Sequence, residues 1–528
     1  MDLERDSLSG KPPLENEQDV QDATDLAAMG HAQALTRKFD TWSMLALAFC
    51  VLGTYSTFAQ DLSSGLTNGG PITILWGLVL VTACNLCVAV SLGELTSSMP
   101  TALGQAYWVY RLWSTPLGRF VSYMCAWINT FGWWCLTASQ IAFMSEFLLS
   151  TKTMFEPDWD GVNKGWLNFV VYIGVVFVMT LINVVSCRKE QILPWFNNFV
   201  GVWFGGLFIV LSLVMLICVG AKSNLHFQPA SFVFGAWINT TGWSDGVVWF
   251  TGLVQAAYGL TAFDSVIHMV EEIPNPRKNA PPSHLDGRDV WSRCIQNVDK
   301  VTNANQPFIE LILETVGQKG GVTLIALFIF NGLGQGVSVL TTASRLTWGF
   351  ARDGGLPWSQ YFSHVDPVWQ VPARALWGQG VIIGIVGVLY LFANTVLEAI
   401  LSVSTIALTI SYAMPILALL VVGRDKLPAG GSFKLGRWGS WYNWVSIIYC
   451  VITTIFFLFP GSPNPSPADM NYAIAVFGVM LVIALAFWFI QGRKTYLQTE
   501  DALAQMVYAQ YLENAESARA ASSVVSTE

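Results

Sequence analysis

Residues 281–321 read PPSHLDGRDVWSRCIQNVDKVTNANQPFIELILETVGQKGG, and this stretch decides how the chain can fold. It separates long apolar segments, yet its own longest apolar run, Phe308–Leu313, is interrupted by Glu310. A helix that crosses a membrane needs about 20 predominantly apolar residues. No such helix fits in this stretch, whereas the sequence on both sides of it is rich in them.

The composition places the chain among integral membrane proteins. Of its 528 residues, 53% are hydrophobic and 12% are charged, whereas soluble proteins carry about 25% charged residues. Eleven apolar segments are long enough to cross about 30 Å of hydrocarbon as helices. They lie at 42–62, 71–92, 118–149, 166–185, 195–219, 246–270, 322–344, 375–393, 396–422, 441–459 and 471–490. The pattern predicts an all-α polytopic membrane protein.

The polar ends of the chain flank one membrane domain. Residues 1–38 are polar and without helical periodicity, which predicts a disordered cytoplasmic tail. Residues 39–490 form the transmembrane domain, and residues 491–528 a cytoplasmic extension. The net charge of −8 lies largely in the two tails and gives no sign of a nucleic-acid partner. The partners expected are the lipid bilayer and a small solute, with the oligomeric state left open.

Basic residues in the short loops predict the orientation of the spans. Before the quoted stretch they fall on alternate loops, which puts the N-terminus in the cytoplasm: Arg37, Lys38, Arg111, Arg119, Arg188, Lys189, Arg277 and Lys278. After it, the basic loops again indicate the cytoplasm: Arg345, Arg352, Arg374, Arg424, Lys426, Arg493 and Lys494. An odd number of crossings is therefore needed between Lys278 and Val322, and none is found. Either a span is absent there, or the later half of the chain is inverted.

Two spans contain residues that favour interrupted helices. Glycine and small hydroxyl residues in mid-membrane allow a helix to break, and the freed backbone groups can then bind a polar solute. The candidate binding residues are Gly53, Thr54, Tyr55, Ser56 and Thr57 in span 1, and Tyr258, Gly259, Ala262, Phe263 and Asp264 in span 6. The alternative is that these small residues only let helices pack closely.

Asp264 is the leading candidate for chemistry inside the membrane. An ionised group there is costly, so an acidic residue in a span is a functional candidate. It could be the counter-ion of a substrate amine or a proton-coupling group, and the alternative is a structural partner within the bundle. His268, Glu271 and Glu272 lie at the inner end of the span and are assigned to a cytoplasmic gate or interface.

Aromatic and amide side chains add two weaker candidates. Trp133 lies in span 3, where aromatic rings could hold a quaternary ammonium through cation–π attraction, although Trp is also common at membrane interfaces. Asn331 lies one helical turn before Gln335 in the 322–344 span, which suggests either a wet cavity or an interhelical hydrogen bond. The sequence contains no metal-ligand spacing and no phosphate-binding loop, so we expect no cofactor, no metal and no enzymatic activity.

Four local sequences carry a resemblance to a known family. They are HAQALTRKFDTWSMLALAF at 31–49, GELTSSMPTALGQAYWVYRL at 93–112, FDSVIHMVEEIPNPRKNAP at 263–281 and TTASRLTWGFARDGGLP at 341–357. The second is the most specific, with Glu94, Pro100, Gly104, Gln105 and Tyr107 in the family's pattern. The chain resembles the fungal amino-acid/choline permease branch of the amino acid–polyamine–organocation superfamily over about residues 30–495.

The resemblance implies twelve spans in a five-plus-five inverted repeat. It also implies secondary active uptake across the plasma membrane, driven by protons, of a small amine-bearing solute such as choline, GABA or an amino acid. Substrate would bind at Gly53–Thr57 and Tyr258–Asp264, and Asp264, Glu94 and Glu271 would serve coupling or gating.

The chain departs from the family where span 7 is expected. Residues 282–297 stand where that helix would be, so 281–320 is anomalous and the seventh span is missing. A mis-spliced or mis-predicted exon, or an inactive isoform, would explain this. The alternative to a transporter is therefore a non-transporting nutrient sensor or an inactive product on a permease scaffold.

Overall fold

The computed structural model describes residues 17–31, 33–60, 62–186, 191–279, 294–302, 304, 306–366, 371–391, 396–428, 431–466 and 470–497. Over these residues the protein is all-helical, without a strand, and only one isolated bridge joins Asn68 and Asn239. This confirms the predicted all-α class.

The helices of the first part of the chain are α1 (Glu17–Ala28), α2 (Thr41–Leu52), α3 (Thr54–Gln60), α4 (Leu62–Thr67), α5 (Pro71–Ser98), α6 (Gln105–Leu112), α7 (Pro116–Thr153), α8 (Gly165–Ser186), α9 (Ile192–Ala221), α10 (Ala230–Gly235), α11 (Asp245–Gly259), α12 (Ser265–His268) and α13 (Pro276–Asn279). Those of the second part are α14 (Val298–Thr302), α15 (Pro307–Thr315), α16 (Gln318–Arg352), α17 (Ser359–Phe362), α18 (Ala373–Gly387), α19 (Val396–Val422), α20 (Gly439–Phe456), α21 (Ala473–Phe487) and α22 (Arg493–Thr495).

Eight helical segments are long and apolar enough to cross a membrane, among the residues that the structure describes. They are Trp42–Gln60, Pro71–Ser98, Gly165–Ser186, Ile192–Ala221, Gln318–Arg352, Ala373–Leu391, Ser402–Val422 and Ala473–Thr495. The other three predicted spans correspond to α7, α11 and α20, which are not both long enough and apolar enough to be included. α11, for example, ends after 15 residues. The protein is thus a multi-pass membrane protein, and the count of eleven spans stays a prediction.

The core is built around α7, most of whose side chains are buried. It packs against α6, α8, α16, α18 and α19. Because α7 is surrounded by protein, it carries polar side chains such as Asn129 and Gln140 without exposing them to lipid. This burial explains why the central helix is less apolar than the peripheral ones.

Within residues 1–38, for which a disordered tail is predicted, the described residues include α1, and residues 22–31 and 33–38 contact the bundle. Asn275 N donates to Asp22 Oδ2 at 2.8 Å, and Arg277 Nε lies 2.7 Å from Asp25 Oδ2. Five apolar side chains of this segment are buried: Ala23, Leu26, Met29, Leu35 and Phe39. They are too widely spaced in the sequence to indicate a membrane span. We call the end of the bundle that carries this segment the N-terminal end.

The start of the predicted C-terminal extension also belongs to the folded part. The hydroxyls of Tyr496 and Ser122 lie 2.8 Å apart and are buried. The predicted extension at 491–528 therefore begins with packed residues up to Leu497, and residues 498–528 lie outside the described part.

The residues that flank the quoted stretch lie at opposite ends of the bundle. Ser97 Oγ donates to Arg277 O at 2.8 Å at the N-terminal end. Beyond residues 280–293, which the structure does not describe, Gln228 Nε2 donates to Ile295 O at 2.8 Å just after the far end of α9. In the described residues that follow, α14 and α15 have 5 and 9 residues, too short to span. The two flanks thus lie at opposite ends, as expected if an odd number of crossings separates Lys278 from Val322.

Candidate functional site

The interruption predicted for span 1 lies at one residue. α2 ends at Leu52, Gly53 has a left-handed conformation with φ of 51°, and α3 begins at Thr54. A Cβ atom at Gly53 would lie 1.9 Å from Gln335 Nε2 on α16. Glycine is therefore required twice, for the backbone and for the close approach of Gln335. Thr54 to Thr57, which we expected to belong to the break, are instead the first turn of α3.

The interruption in span 6 is longer and strained. The chain between Gly259, where α11 ends, and Ser265, where α12 begins, is not α-helical, and Ala262 has φ of 73°. A non-glycine residue in this region costs on the order of 1–3 kcal/mol and persists where its surroundings enforce it. Here Ala262 N donates to Tyr412 Oη at 3.2 Å. The two broken spans also touch, since a Cβ at Gly259 would lie 2.9 Å from Thr57 Oγ1.

Asp264 lies at the end of this break and is completely buried. Its Oδ2 accepts hydrogen bonds from Gln105 Nε2 at 2.8 Å and Trp133 Nε1 at 3.3 Å, and it lies 3.0 Å from His268 Nε2. Its Oδ1 accepts one from Tyr412 Oη at 2.7 Å. We call these five residues the Asp264 cluster. In this conformation both oxygens already have protein partners, so a substrate amine would have to displace one of them.

The cluster contains three residues that the sequence analysis singled out, Asp264, Trp133 and His268. It adds two residues that sequence reasoning did not place beside Asp264, namely Gln105 and Tyr412. Trp133 was expected near the substrate and does contact Asp264, whereas His268 had been assigned to a gate. The i, i+4 spacing of Asp264 and His268 could have indicated their contact. Gln105 appeared only within a family pattern, and Tyr412 had no signal because it lies on α19, 148 residues along the chain.

The remaining aromatic candidates of span 6 contact the neighbouring helices. Tyr258 Oη lies 2.9 Å from Ser139 Oγ on α7. The ring of Phe263 packs on that of Tyr412, with centroids 4.8 Å apart. Both aromatic side chains are buried beside the break. Their positions favour a lining of the broken segment rather than an interface with lipid headgroups.

Asn331 is fully buried on α16, and neither its amide oxygen nor its amide nitrogen has a hydrogen-bond partner among the described residues. A buried polar group without a partner costs about 1–3 kcal/mol. One turn further along the helix, Gln335 accepts a hydrogen bond from Gln140 Nε2 at 3.4 Å and faces the break at Gly53. Asn331 is therefore able to bind a polar atom that is not part of the chain.

The two glutamates predicted to serve coupling or gating lie in ion pairs with arginine. Glu271 Oε2 lies 2.9 Å from Arg352 Nη1, close to the Asp264 cluster, and this position fits a gate. Glu94 accepts hydrogen bonds from Arg424 Nη2 at 2.6 Å and from Leu435 N at 2.8 Å, which fastens the segment after α19 to α5. No hydrogen bond among the described residues links Glu94 to Asp264.

Comparisons with known proteins agree with the resemblance seen in the sequence. A curated choline transporter of Saccharomyces cerevisiae is 28% identical over 513 residues, covering 93% of this chain and 89% of the relative. The GABA-specific permease of the same yeast is 27% identical over 498 residues, covering 90% and 85%. A putative amino acid/polyamine transporter of Macrophomina phaseolina is 28% identical over 461 residues, covering 82% and 97%.

The family model described as amino acid permease matches residues 39–282 and 295–482, and the interruption of the match falls inside the stretch that contains no predicted span. The match confirms the predicted fungal permease branch of the amino acid–polyamine–organocation superfamily. It also confirms that this is a transport protein rather than an enzyme. Since the match covers most of its length, the chain belongs to the amino acid permease family.

Proposed function

We propose that the protein is a secondary transporter of a small amine-bearing solute, with its binding site beside the two helix breaks. The relatives are named for choline, GABA, amino acids and polyamines, which all carry an amine or ammonium group. The observation that carries the site proposal is the buried Asp264 cluster at the strained break of span 6. A carboxylate, three aromatic rings and an unpartnered amide at Asn331 are the groups that an amine-bearing solute needs.

The geometry distributes the substrate's groups between the two breaks. The amine would lie beside Trp133, Phe263 and Tyr412, whose rings attract a cation. A substrate carboxylate would bind backbone N–H groups near Gly53, and Asn331 would bind a further polar atom. Choline has no carboxylate and would depend on the aromatic faces.

We further propose that the N-terminus is cytoplasmic. We also propose that the protein takes up its substrate across the plasma membrane and that the proton gradient drives this uptake. The orientation is supported by the basic residues at the N-terminal end, including Arg277, Arg345 and Arg352. Transport into the cell against a gradient needs a coupling ion, and a buried ionisable pair at the break is suited to carry a proton.

An uptake panel in a host that lacks its own transporters tests the proposal. We expect uptake of one of radiolabelled choline, GABA, a polyamine or an amino acid, and loss of at least about ten-fold in Asp264→Asn. The matched control is Glu156→Gln, which removes an exposed carboxylate outside the site. Unchanged uptake in Asp264→Asn would exclude a role for Asp264.

A second candidate is a non-transporting protein on a permease scaffold. It is favoured by the interrupted family match and by flanks at opposite ends of the bundle, with 14 residues, 280–293, between them. As a helix, 14 residues measure about 21 Å, less than the roughly 30 Å of hydrocarbon. The test replaces residues 283–294 with the corresponding segment of the yeast choline transporter. Uptake by the chimera but not by the original chain would support this candidate.

A further inference from the structure

We propose that Asp264 and His268 bind the transported proton as a pair, between His268 Nε2 and Asp264 Oδ2. This inference rests on the proposed transport function and names the coupling residues of that site. Both side chains are fully buried, and they lie four residues apart across the start of α12. His268 is the partner that can exchange a proton with Asp264 in the cluster, because Gln105 and Trp133 do not titrate and Tyr412 donates its own hydroxyl proton.

The hydrogen-bond partners of His268 define where its protons are. Nδ1 lies 2.9 Å from Ala102 O, a carbonyl that can only accept, so Nδ1 carries a hydrogen. Nε2 lies 3.0 Å from Asp264 Oδ2, which is also an acceptor when ionised. A hydrogen bond at this distance requires one proton between the two atoms. The pair with that proton is neutral overall, whether it is an imidazolium and a carboxylate or an imidazole and a carboxylic acid.

Loss of that proton changes the contacts of both residues. Nε2 and Oδ2 would then face each other as two acceptors, and the buried pair would carry a net charge of −1. Asn129 Nδ2 lies 3.3 Å from Nε2 and can donate to it once the proton has left. Asp264 would keep its three other donors on α6, α7 and α19. Deprotonation thus breaks the hydrogen bond between His268 and Asp264 and lets His268 accept one from Asn129 instead.

The pair is connected to the gate through the backbone of one residue, Ala102. Ala102 O accepts from His268 Nδ1, and Ala102 N donates to Glu271 Oε1 at 3.0 Å. Glu271 in turn is paired with Arg352 on α16. A movement of the His268 ring therefore acts on the ion pair that closes the N-terminal end. In the transport cycle, one proton enters from the opposite side, binds between Nε2 and Oδ2, and leaves towards the N-terminal end.

No other ionisable group competes for this role among the described contacts of the pair. The titratable or charged residues on the helices packed around it, among the side chains that the structure describes, are Cys50 on α2, Tyr107, Tyr110 and Arg111 on α6, Arg119, Tyr123, Cys125, Cys135, Glu146 and Lys152 on α7, Lys319, Arg345 and Arg352 on α16, and Tyr412 on α19. Of these, only Tyr412 hydrogen-bonds to Asp264 or His268. Glu271 and Glu272, the next acidic residues along the chain, are paired with Arg352 and Arg345.

The test separates proton coupling from transport itself in proteoliposomes. We expect His268→Gln to lower exchange of labelled for unlabelled substrate at equal pH much less than it lowers driven accumulation, because exchange needs no net proton movement. We expect it to lose at least about ten-fold of the accumulation driven by an inward proton gradient. Asp264→Asn should lose the driven accumulation as well. The matched control is His226→Gln, an exposed histidine beyond the far end of α9, which should retain both activities.

Each result decides the inference. Driven accumulation by His268→Gln at the wild-type level would overturn it, and so would loss of exchange together with accumulation in a folded variant, since that indicates a structural role. If His268→Gln does not yield folded protein, His268→Asn decides by the same two readouts, since it leaves the Asp264 carboxylate in place for the substrate. Failure of the proposed transport function is distinguishable, because the wild-type protein would then show no exchange of any substrate.

Discussion

Buried carboxylates in the middle of the bundle and at its N-terminal end have different partners. At the N-terminal end, three ion pairs join glutamates to arginines: Glu94 with Arg424, Glu271 with Arg352 and Glu272 with Arg345. In the middle, Asp264 is held by neutral donors and one histidine. Arginine is charged at all physiological pH values, whereas histidine titrates near neutrality.

The carboxylates at the N-terminal end face a permanently charged arginine, whereas Asp264 faces a histidine, a residue type that can exchange a proton. A glutamate beside an arginine always has a charged partner, so these pairs suit a closed end of the bundle. In the coupling that we propose, one proton enters and leaves the pair of Asp264 and His268, so the contacts of this pair change during a cycle. The protein therefore places its fixed charges where the helices meet the N-terminal segment and its exchangeable charge at the break of span 6.

The largest effect is expected from breaking a fixed pair. Arg345 Nε lies 2.7 Å from Glu272 Oε1, and both side chains are buried. Arg345→Met leaves an uncompensated carboxylate, which typically costs about 3–5 kcal/mol. We expect a large drop in the thermal unfolding temperature in detergent.

The double variant Arg345→Met with Glu272→Gln is the control for this prediction. It removes both charges at once, so most of the lost stability should return. A single variant as stable as the wild type would show that the pair contributes nothing to closing this end.

The second effect concerns Asp353, which follows α16 at the N-terminal end. Burial raises the pKa of its carboxyl from 3.8 to about 6, against the opposing effect of Arg352. Because the folded protein binds this proton more tightly than the unfolded chain, the stabilisation is complete below about pH 4 and is lost as the pH rises through 6. At about 1.4 kcal/mol per pKa unit, the loss is at most about 3 kcal/mol.

Asp353→Asn tests this pH dependence. Because His31 Nδ1 lies 3.6 Å from Asp353 Oδ1, the same comparison is repeated with His31→Gln in both proteins, which removes the contribution of the histidine. The unfolding temperature of the wild type, relative to that of Asp353→Asn, should fall between pH 4.5 and pH 7. A constant difference between the two proteins over this range would contradict the assignment.

The third effect sharpens the comparison at the centre. Tyr412→Phe removes the donor to Asp264 Oδ1 and the hydroxyl that accepts from the strained Ala262 N. A hydrogen bond to a charged group is worth about 1.5–3 kcal/mol. Tyr258→Phe removes a neutral pair with Ser139 and should cost about 0.5–1.5 kcal/mol. Equal losses of stability in the two variants would show that the hydrogen bonds of Tyr412 contribute no more than the pair of Tyr258 and Ser139.

The sequence alone predicts the helical architecture well, because each apolar segment is a local signal. It fails where stability comes from contacts distant in sequence. Residues 22–38 look polar and unstructured, yet Asp22 and Asp25 find partners at Asn275 and Arg277, about 250 residues away. Only a folded structure brings such residues together.

The same limit applies to the site. The carboxylate Asp264 is evident because it is rare within a span, and the break near it is evident from glycine. Its partners are not, since Gln105 and Tyr412 come from other helices and are ordinary residues in their own segments. The single-residue break at Gly53 is likewise packed closely against Gln335, which lies 282 positions later in the chain.

The smallest effect is expected for an exposed pair of the same chemistry. Lys152 Nζ lies 3.3 Å from Glu156 Oε2 at the far end of α7, and both side chains are largely exposed. Water screens such a pair, and i, i+4 pairs are worth about 0.3–0.5 kcal/mol. Glu156→Gln should therefore leave the unfolding temperature nearly unchanged. A loss as large as that of Arg345→Met would mean that burial does not distinguish the fixed pairs, and the comparison between the two regions would fail.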